Sequence, residues 1–409
     1  MDTDEHLYRS PFQRDRDRII HSRAFRRMYN KTQIFLAGDN DYARTRLTHT
    51  LEVDQIARTI AKFLNLDVDL TEAIALGHDI GHTPFGHVSE AALHDIMCCD
   101  NISFGKGFKH NWQSLIIPTL LEWEMNLTNY TLYGILNHTN LAKDEKYTKD
   151  SLDYYFNYEI QRGKKDENNE IIKVNALEFL SGKHSLEAAI VNMADEIAQR
   201  HHDIEDGIEY NLISKDILMR ELSERRINQL EKAYYERFPK FHKSIEYFFK
   251  DIRNSILTVR KKGFLFKKIY GKIIVNILTT DLILNIIYNL EKYPYKKITD
   301  FKEVDINNIV RQSEILYEDD QNFKRILKDL IHNSDKVKDM NQKGSNTIKK
   351  LFNLYLEHPE ELPDNVIKHF YVDFTFGINQ PIDFYTYELR DDFLMNYEIS
   401  KKSNNSRKI

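Results

Sequence analysis

The chain has 409 residues, of which 41% are hydrophobic, 12% aromatic and 30% charged, a balance that fits a folded, helix-rich globular protein with a full core. Its formal net charge of -5 is too small to imply bulk attraction to nucleic acid or to a membrane. The only cysteines, Cys98 and Cys99, are adjacent, which excludes a disulfide framework and makes a reducing cytoplasm the expected location, in keeping with an N-terminus that lacks an apolar signal segment.

Glycine and proline are sparse, at 14 and 8, so long helices are favoured over many short strands. Ile19, Ile20, Phe25 and Met28 fall near helical spacing and predict a helix over Asp15 to Tyr29. A loop (36–44) follows. Thr48 or Thr50 can cap the next helix, which carries Leu51, Ile56, Ile60 and Phe63 and ends near Asn65. Thr71 is expected to cap another, with Glu72 in its first turn. That helix delivers His78 and Asp79 before Gly81 stops it, GHTPFGH (81–87) is a loop, and a helix starts again at Val88. Helices are predicted over 111–126 and 130–138, then an irregular insertion over about 141–174 with a small β-hairpin whose charged tip is GKKDENNE. From a cap at Ser185 the helical pattern runs to about Leu356, with breaks near Pro239, Gly263 and Pro294. The apolar stretch 273–288 contains Asn and a Thr-Thr-Asp triplet, so it reads as a core helix or helix pair rather than a membrane span. The expected organisation is all-α: a catalytic core over 1–210, a helical C-terminal region over 211–395 and a polar, disordered tail over 396–409.

The chemistry concentrates between Arg44 and Glu90, where His49, His78, Asp79, His82 and His87 stand among amphipathic helices and a Gly/Pro-punctuated loop. A divalent metal that activates water needs a few neutral imidazoles and carboxylates with open positions left over. His49 opens one helix and His78-Asp79 closes the next, so antiparallel packing would join them. Asp195 is the best further ligand, because beside Ile190, Met193, Ala194 and Ile197 a carboxylate is costly to bury without a cation. His82 reads as a loop-capping residue and His94 as a surface helix residue, while His138 either lines the site or ends a helix.

The blocks RSPFQRDRDRIIHSRAFRRMYNKTQIF, RTRLTHTLEV, GHDIGHTPFGH, HNWQSL and ADEIAQRHHDIEDG, in that order over roughly residues 8 to 210, resemble the bacterial deoxyguanosine triphosphate triphosphohydrolase (dGTPase) family of the HD superfamily of metal-dependent phosphohydrolases. The resemblance implies a helical HD core and one divalent ion (Mn, Mg, Fe or Co) held by His49, His78, Asp79 and Asp195. It implies catalytic roles for His87, for Glu90 as the group that orients and charges it, and for His110 near the phosphates. Gln33, Arg46 and Asp203 match nucleotide-contacting positions, the last at the sugar.

The implied reaction converts a dNTP to deoxynucleoside and inorganic triphosphate by water attack at the α-phosphorus, with a His87 imidazolium protonating the departing 5′-oxygen. Relatives also imply a homo-oligomer, tetramer or hexamer, and dNTP or single-stranded DNA as allosteric ligands. The chain departs from better-known members at Gln199, where they carry Tyr, and at Gly377–Gln380 (GINQ), where they carry a GMTD-like motif; both regions shape the base and sugar pocket, so base preference stays open. The competing readings are another HD-type nucleotide phosphohydrolase or phosphodiesterase, and a nucleotide- or nucleic-acid-binding regulator with a vestigial site.

Overall fold

The computed structural model describes residues 6–35, 44–97, 107–122, 125–139, 159–165, 171–175, 185–261, 265–292 and 305–362. The chain is built from helices, and the only paired strands among the described residues are a hairpin, β1 (Glu159–Lys165) antiparallel to β2 (Ile171–Asn175), with Glu159 opposite Asn175. The hairpin lies within the segment expected to be an irregular insertion.

Helix α1 (Pro11–His21) starts where Ser10 and Gln13 form a reciprocal capping box with Pro11 in the first turn. The single helix expected over Asp15 to Tyr29 is in fact two. Ser22 is extended, and its hydroxyl accepts the Phe25 N–H at 3.0 Å, so it ends α1 and caps α2 (Arg23–Arg27). Helix α3 (Arg46–Phe63) is capped by Thr45, with Thr48 as its box partner, and not by Thr48 or Thr50; Thr50 is buried inside the helix. Helix α4 (Val68–Gly77) is capped by Asp67, whose carboxylate accepts the Leu70 N–H at 2.9 Å. Thr71, the expected cap, sits one turn in and donates its hydroxyl to the Asp67 carbonyl. The charged acceptor takes the cap because it also suits the positive end of the helix dipole.

Helix α5 (His87–Met97) begins a residue before its expected start. Helix α6 (His110–Ile116) passes into a π turn, Ile117–Leu121, at Pro118, so the continuous helix expected over 111–126 is interrupted where the ring removes a backbone donor. Helix α7 (Asn129–Leu136) follows a Thr128 cap. Helix α8 (Leu186–Glu209) is capped by Ser185 as expected. Helices α9 (Lys215–Glu221), α10 (Glu224–Arg237), α11 (His242–Lys261), α12 (Phe266–Lys292), α13 (Glu314–Leu327) and α14 (Asp335–Glu357) complete the α-helices among the described residues. The apolar stretch at 273–288 belongs to the single helix α12. By length and composition α12 could cross a bilayer, but it packs along α8 and α11 and buries Ile273, Ile277, Leu278 and Leu282. The GINQ motif, the tail and the cysteine pair lie outside the described residues.

Two cores hold these helices. The larger runs from Val53 and Ile60 in α3 through Ile190 and Ile197 in α8 to Ile277 in α12 and Leu327 in α13. The smaller joins α1, α4, α6 and α7 through Ile19, Leu76, Trp112 and Ile135. Helix α4 contributes to both, Ile74 to the first and Leu76 to the second, which clamps its C-terminal end. Gly77 and Gly134 allow close packing there, since an added Cβ at either would meet an isoleucine side chain within 2.5 Å. That clamped end carries His78 and Asp79.

Candidate metal centre and active-site cleft

His49 lies in the first turn of α3, His78 is the C-cap of α4, Asp79 follows it, and Asp195 projects from the middle of α8. Nitrogen or oxygen atoms of His49, His78 and Asp79 all lie within 4.8 Å of one another, and His49 Nε2 is 2.9 Å from Asp195 Oδ1. The His78 ring is wholly buried. Its Nδ1 donates to the Ala75 carbonyl at 2.7 Å, which leaves Nε2 as a lone pair with no hydrogen-bond partner, 3.6 Å from Asp79 Oδ2. A buried acceptor left unmatched is costly unless a cation completes it. With the tautomer fixed from behind by a backbone carbonyl, this donor set fits a divalent metal ion.

Burial works against charge on both carboxylates. The Arg46 guanidinium, 2.5 Å from Asp79 Oδ2, and the nearby imidazoles outweigh it for Asp79, and the His49 hydrogen bond does so for Asp195, so both are held well below the usual carboxylate range.

Beside this set stands a second group, His82, His87, Glu90 and His110, whose donor atoms also cluster within 4.8 Å. Glu90, which the resemblance gives as the group that orients and charges His87, has its Oε2 3.5 Å from His87 Nδ1, and the same oxygen accepts a shorter bond from His110 Nδ1 at 2.6 Å. The difference follows from burial: His110 and Glu90 are enclosed together, whereas the His87 side chain is 76% exposed at the mouth. Burial pushes the Glu90 carboxyl up, but the bonds from His110 and His87 outweigh that and hold it well below the ordinary glutamate range.

His82 is not a loop cap. It is buried, stacks on His110 with ring centroids 4.5 Å apart, and has neither nitrogen hydrogen-bonded. Burial, with Arg46 and His110 nearby, holds its pKa well below the usual histidine value. The available signal was its four-residue spacing from His78. His138 also stays behind the cleft wall: Nδ1 donates to the Ile135 carbonyl at 2.6 Å, Asn111 faces Nε2 at 3.3 Å, and burial lowers its pKa to about 3. His94 is half-buried on α5.

Helix α6 is bolted to the His-Asp turn. Ser114 Oγ accepts the Gly81 N–H at 3.0 Å and donates to the His78 carbonyl at 2.8 Å. Gly81 has no room for a side chain, because a Cβ would lie 2.1 Å from the Ser114 nitrogen. Gly86, at φ +66°, turns the loop back beneath Arg46.

Both groups open into one cleft of about 470 Å³, within the usual size of a small-ligand site. At its other end Gln33 donates to Gln199 (2.9 Å), Gln199 donates to Asp203 (2.8 Å), and His332 Nε2 lies 3.2 Å from the same Asp203 oxygen. The bond to Asp203 raises the His332 pKa against the opposing effect of burial. Lys324 and Lys328 line the same wall. His332, in the π turn after α13, was not anticipated, and nothing in its local sequence distinguishes it. All ten residues singled out from the sequence (Gln33, Arg46, His49, His78, Asp79, His87, Glu90, His110, Asp195 and Asp203) fall in or directly around this cleft.

A profile for the HD domain matches residues 46–233, and one for a phosphohydrolase-associated domain matches 310–372. Proteins named "deoxyguanosinetriphosphate triphosphohydrolase-like" are similar over most of the chain. One from Roseobacter denitrificans is 35% identical over 367 residues, covering 88% of this chain and 82% of the relative. One from Rickettsia felis is 37% identical over 369 residues, with the same coverage of 88% and 82%. A third, from Leptospira interrogans, is 34% identical over 372 residues, again covering 88% and 82%. The chain therefore belongs to the deoxyguanosinetriphosphate triphosphohydrolase-like family of HD-domain phosphohydrolases.

Proposed function

We propose that the cleft hydrolyses a deoxynucleoside triphosphate to a deoxynucleoside and inorganic triphosphate. The observation that carries this reading is one cleft that joins a His/Asp metal-type set, an imidazole–carboxylate group beside it, and a polar line at the far end. His49, His78, Asp79 and Asp195 would hold one divalent ion, and Mn, Mg, Fe and Co all suit these ligands. Such an ion supplies Lewis-acid polarisation of the α-phosphate and an acidified water for in-line attack.

The protein's own groups do the rest. His87, exposed at the mouth, is the proton donor to the departing 5′-oxygen. Glu90 holds that imidazole, and His110 anchors Glu90 with the short bond, keeping the carboxylate ionised. Arg46, Lys324 and Lys328 bring positive charge to the triphosphate. Asp203 and Gln33, bridged by Gln199, offer donors and acceptors for sugar and base. The names of the relatives support a purine deoxynucleotide, with Gln199 leaving the base preference to be measured. The same reading expects a cytoplasmic homo-oligomer, with dNTP or single-stranded DNA as allosteric ligands.

The test is product analysis. Purified protein with Mn²⁺ is given each of the four dNTPs and GTP, singly and in mixtures, and products are resolved by ion-exchange chromatography. Deoxynucleoside with intact triphosphate is expected. Monophosphate with pyrophosphate, or stepwise release of phosphate, would assign a different HD hydrolysis. Inertness in every mixture would favour a nucleotide-binding regulator.

A further inference from the structure

Behind His49, on the side away from the cleft, lies a group of charged residues that the reaction described above does not use: Arg44, Glu52, His201, His202 and Glu205. Glu52 Oε2 is 2.7 Å from His202 Nε2 and 2.9 Å from His201 Nδ1. Arg44 bonds Glu52 at 3.3 Å and Asp206 at 3.2 Å, and it also pairs with Glu205. Three of these side chains could in principle surround a second metal ion. The ion pairs argue otherwise: the Arg44 guanidinium already neutralises the carboxylates a metal would need, and both histidines turn a nitrogen onto one Glu52 oxygen.

The fully buried His202 also faces the metal-type set. Its Nδ1 lies 3.3 Å from His49 Nδ1. A carboxylate only accepts, so His202 Nε2 carries the proton given to Glu52. For His49 to offer its Nε2 lone pair to a metal alongside Asp195, its own proton must sit on Nδ1, and His202 Nδ1 must accept it. The hydrogen bonds then run one way, from His49 to His202 to Glu52.

We propose that His202 and Glu52 form a positioning relay that fixes the metal-binding tautomer and ring orientation of His49, with Arg44 and His201 holding the Glu52 carboxylate in place. This rests on the reading of His49 as a metal ligand. A carboxylate–histidine pair behind a ligating imidazole raises its basicity, and loss of such a partner typically weakens metal binding about 10- to 100-fold.

The measurement is Mn²⁺ affinity, from the EPR signal of free Mn²⁺ in titrations, alongside thermal unfolding. His202→Ala should stay folded and lose about 10- to 100-fold in affinity, and added imidazole, which fills the vacated space, should restore much of it relative to wild type in the same buffer. Glu52→Gln, which keeps an acceptor but removes the charge, should show a smaller loss and serves if His202→Ala does not fold. Ile204→Ala, on the same helix and equally buried, should lower stability without changing affinity. Wild-type affinity in both His202→Ala and Glu52→Gln, or equal losses in His202→Ala and Ile204→Ala without imidazole rescue, would overturn the relay. His49→Ala separates the two levels: if it too binds Mn²⁺ fully, the metal-ligand reading itself is wrong, whereas loss there with full binding in His202→Ala removes only the relay.

Discussion

Gly81→Ala tests whether the packing of the fold positions the chemistry. The added methyl carbon would lie 2.1 Å from the Ser114 nitrogen, 2.5 Å from the Gln113 carbonyl carbon and 2.6 Å from the His110 carbonyl oxygen. Such atoms keep about 3.5 Å apart, and all three are backbone, so no side chain can swing away; the start of α6 must retreat by roughly 1 Å or more. Overpacking of this kind costs about 1–3 kcal/mol. The retreat also carries His110 away from Glu90 and stretches the Ser114 bonds to Gly81 and to the His78 carbonyl. Displacement of about 1 Å near reacting groups can cost on the order of 100-fold in rate. The assay pairs denaturant unfolding with steady-state hydrolysis. The expected variant is folded and modestly destabilised, with turnover reduced about 100-fold. Turnover within about threefold of wild type at unchanged stability would refute the claim that this contact positions the site.

Three further outcomes are expected. Arg200 and Asp320 form a buried two-bond pair, each contact 3.1 Å, that ties α8 to α13. Arg200→Ala leaves an unpaired buried carboxylate and should cost about 3–5 kcal/mol in denaturant unfolding, while a loss below about 1 kcal/mol contradicts the pairing. His201 is opposed by burial, but its bonds to Glu205 and Glu52 raise its pKa from the ordinary 6.5 to about 9. Protonated His201 therefore stabilises the fold below about pH 6.5, and that contribution, on the order of 3 kcal/mol, is lost as pH rises through about 9; the decline should flatten in His201→Ala, and an unchanged slope counts against it. His332→Ala should raise KM for the nucleotide about 10-fold with little change in kcat, because Asp203 loses a binding partner and not a reacting one; a fall in kcat at constant KM would mean that His332 takes part in the chemistry.

Much of the site was legible in the sequence because its signals are local. His49 near a helix start, His78-Asp79 at a helix end and Asp195 on an apolar face are each placed by helical periodicity, and clamping α4 between two cores brings them together. The structure departs from the sequence pattern where two residues compete for one local role. Asp67 outcompeted Thr71 and Thr45 displaced Thr48 as caps, and Ser22 split a helix that periodicity alone joined. The His110–Glu90 bond joins residues twenty positions apart, so helical spacing shows only the His87 side of Glu90. His82 shows the same limit from the other side: the loop punctuation around it suggested a capping role, and only tertiary packing on His110 buries it. His332 reaches the cleft from 129 residues beyond Asp203, with no local pattern to mark it. Glu52, one turn after His49, was visible as a residue but not as a partner, since its relation to His202 exists only once α3 and α8 pack together.

In the proposed reaction water attacks the α-phosphorus and the bond to the 5′-oxygen breaks. Hydrolysis of a dNTP in ¹⁸O-labelled water, followed by mass spectrometry of both products, tests this most directly. One ¹⁸O atom is expected in an intact inorganic triphosphate and none in the deoxynucleoside. Label in the deoxynucleoside, or label found in a monophosphate, pyrophosphate or free phosphate, would contradict it.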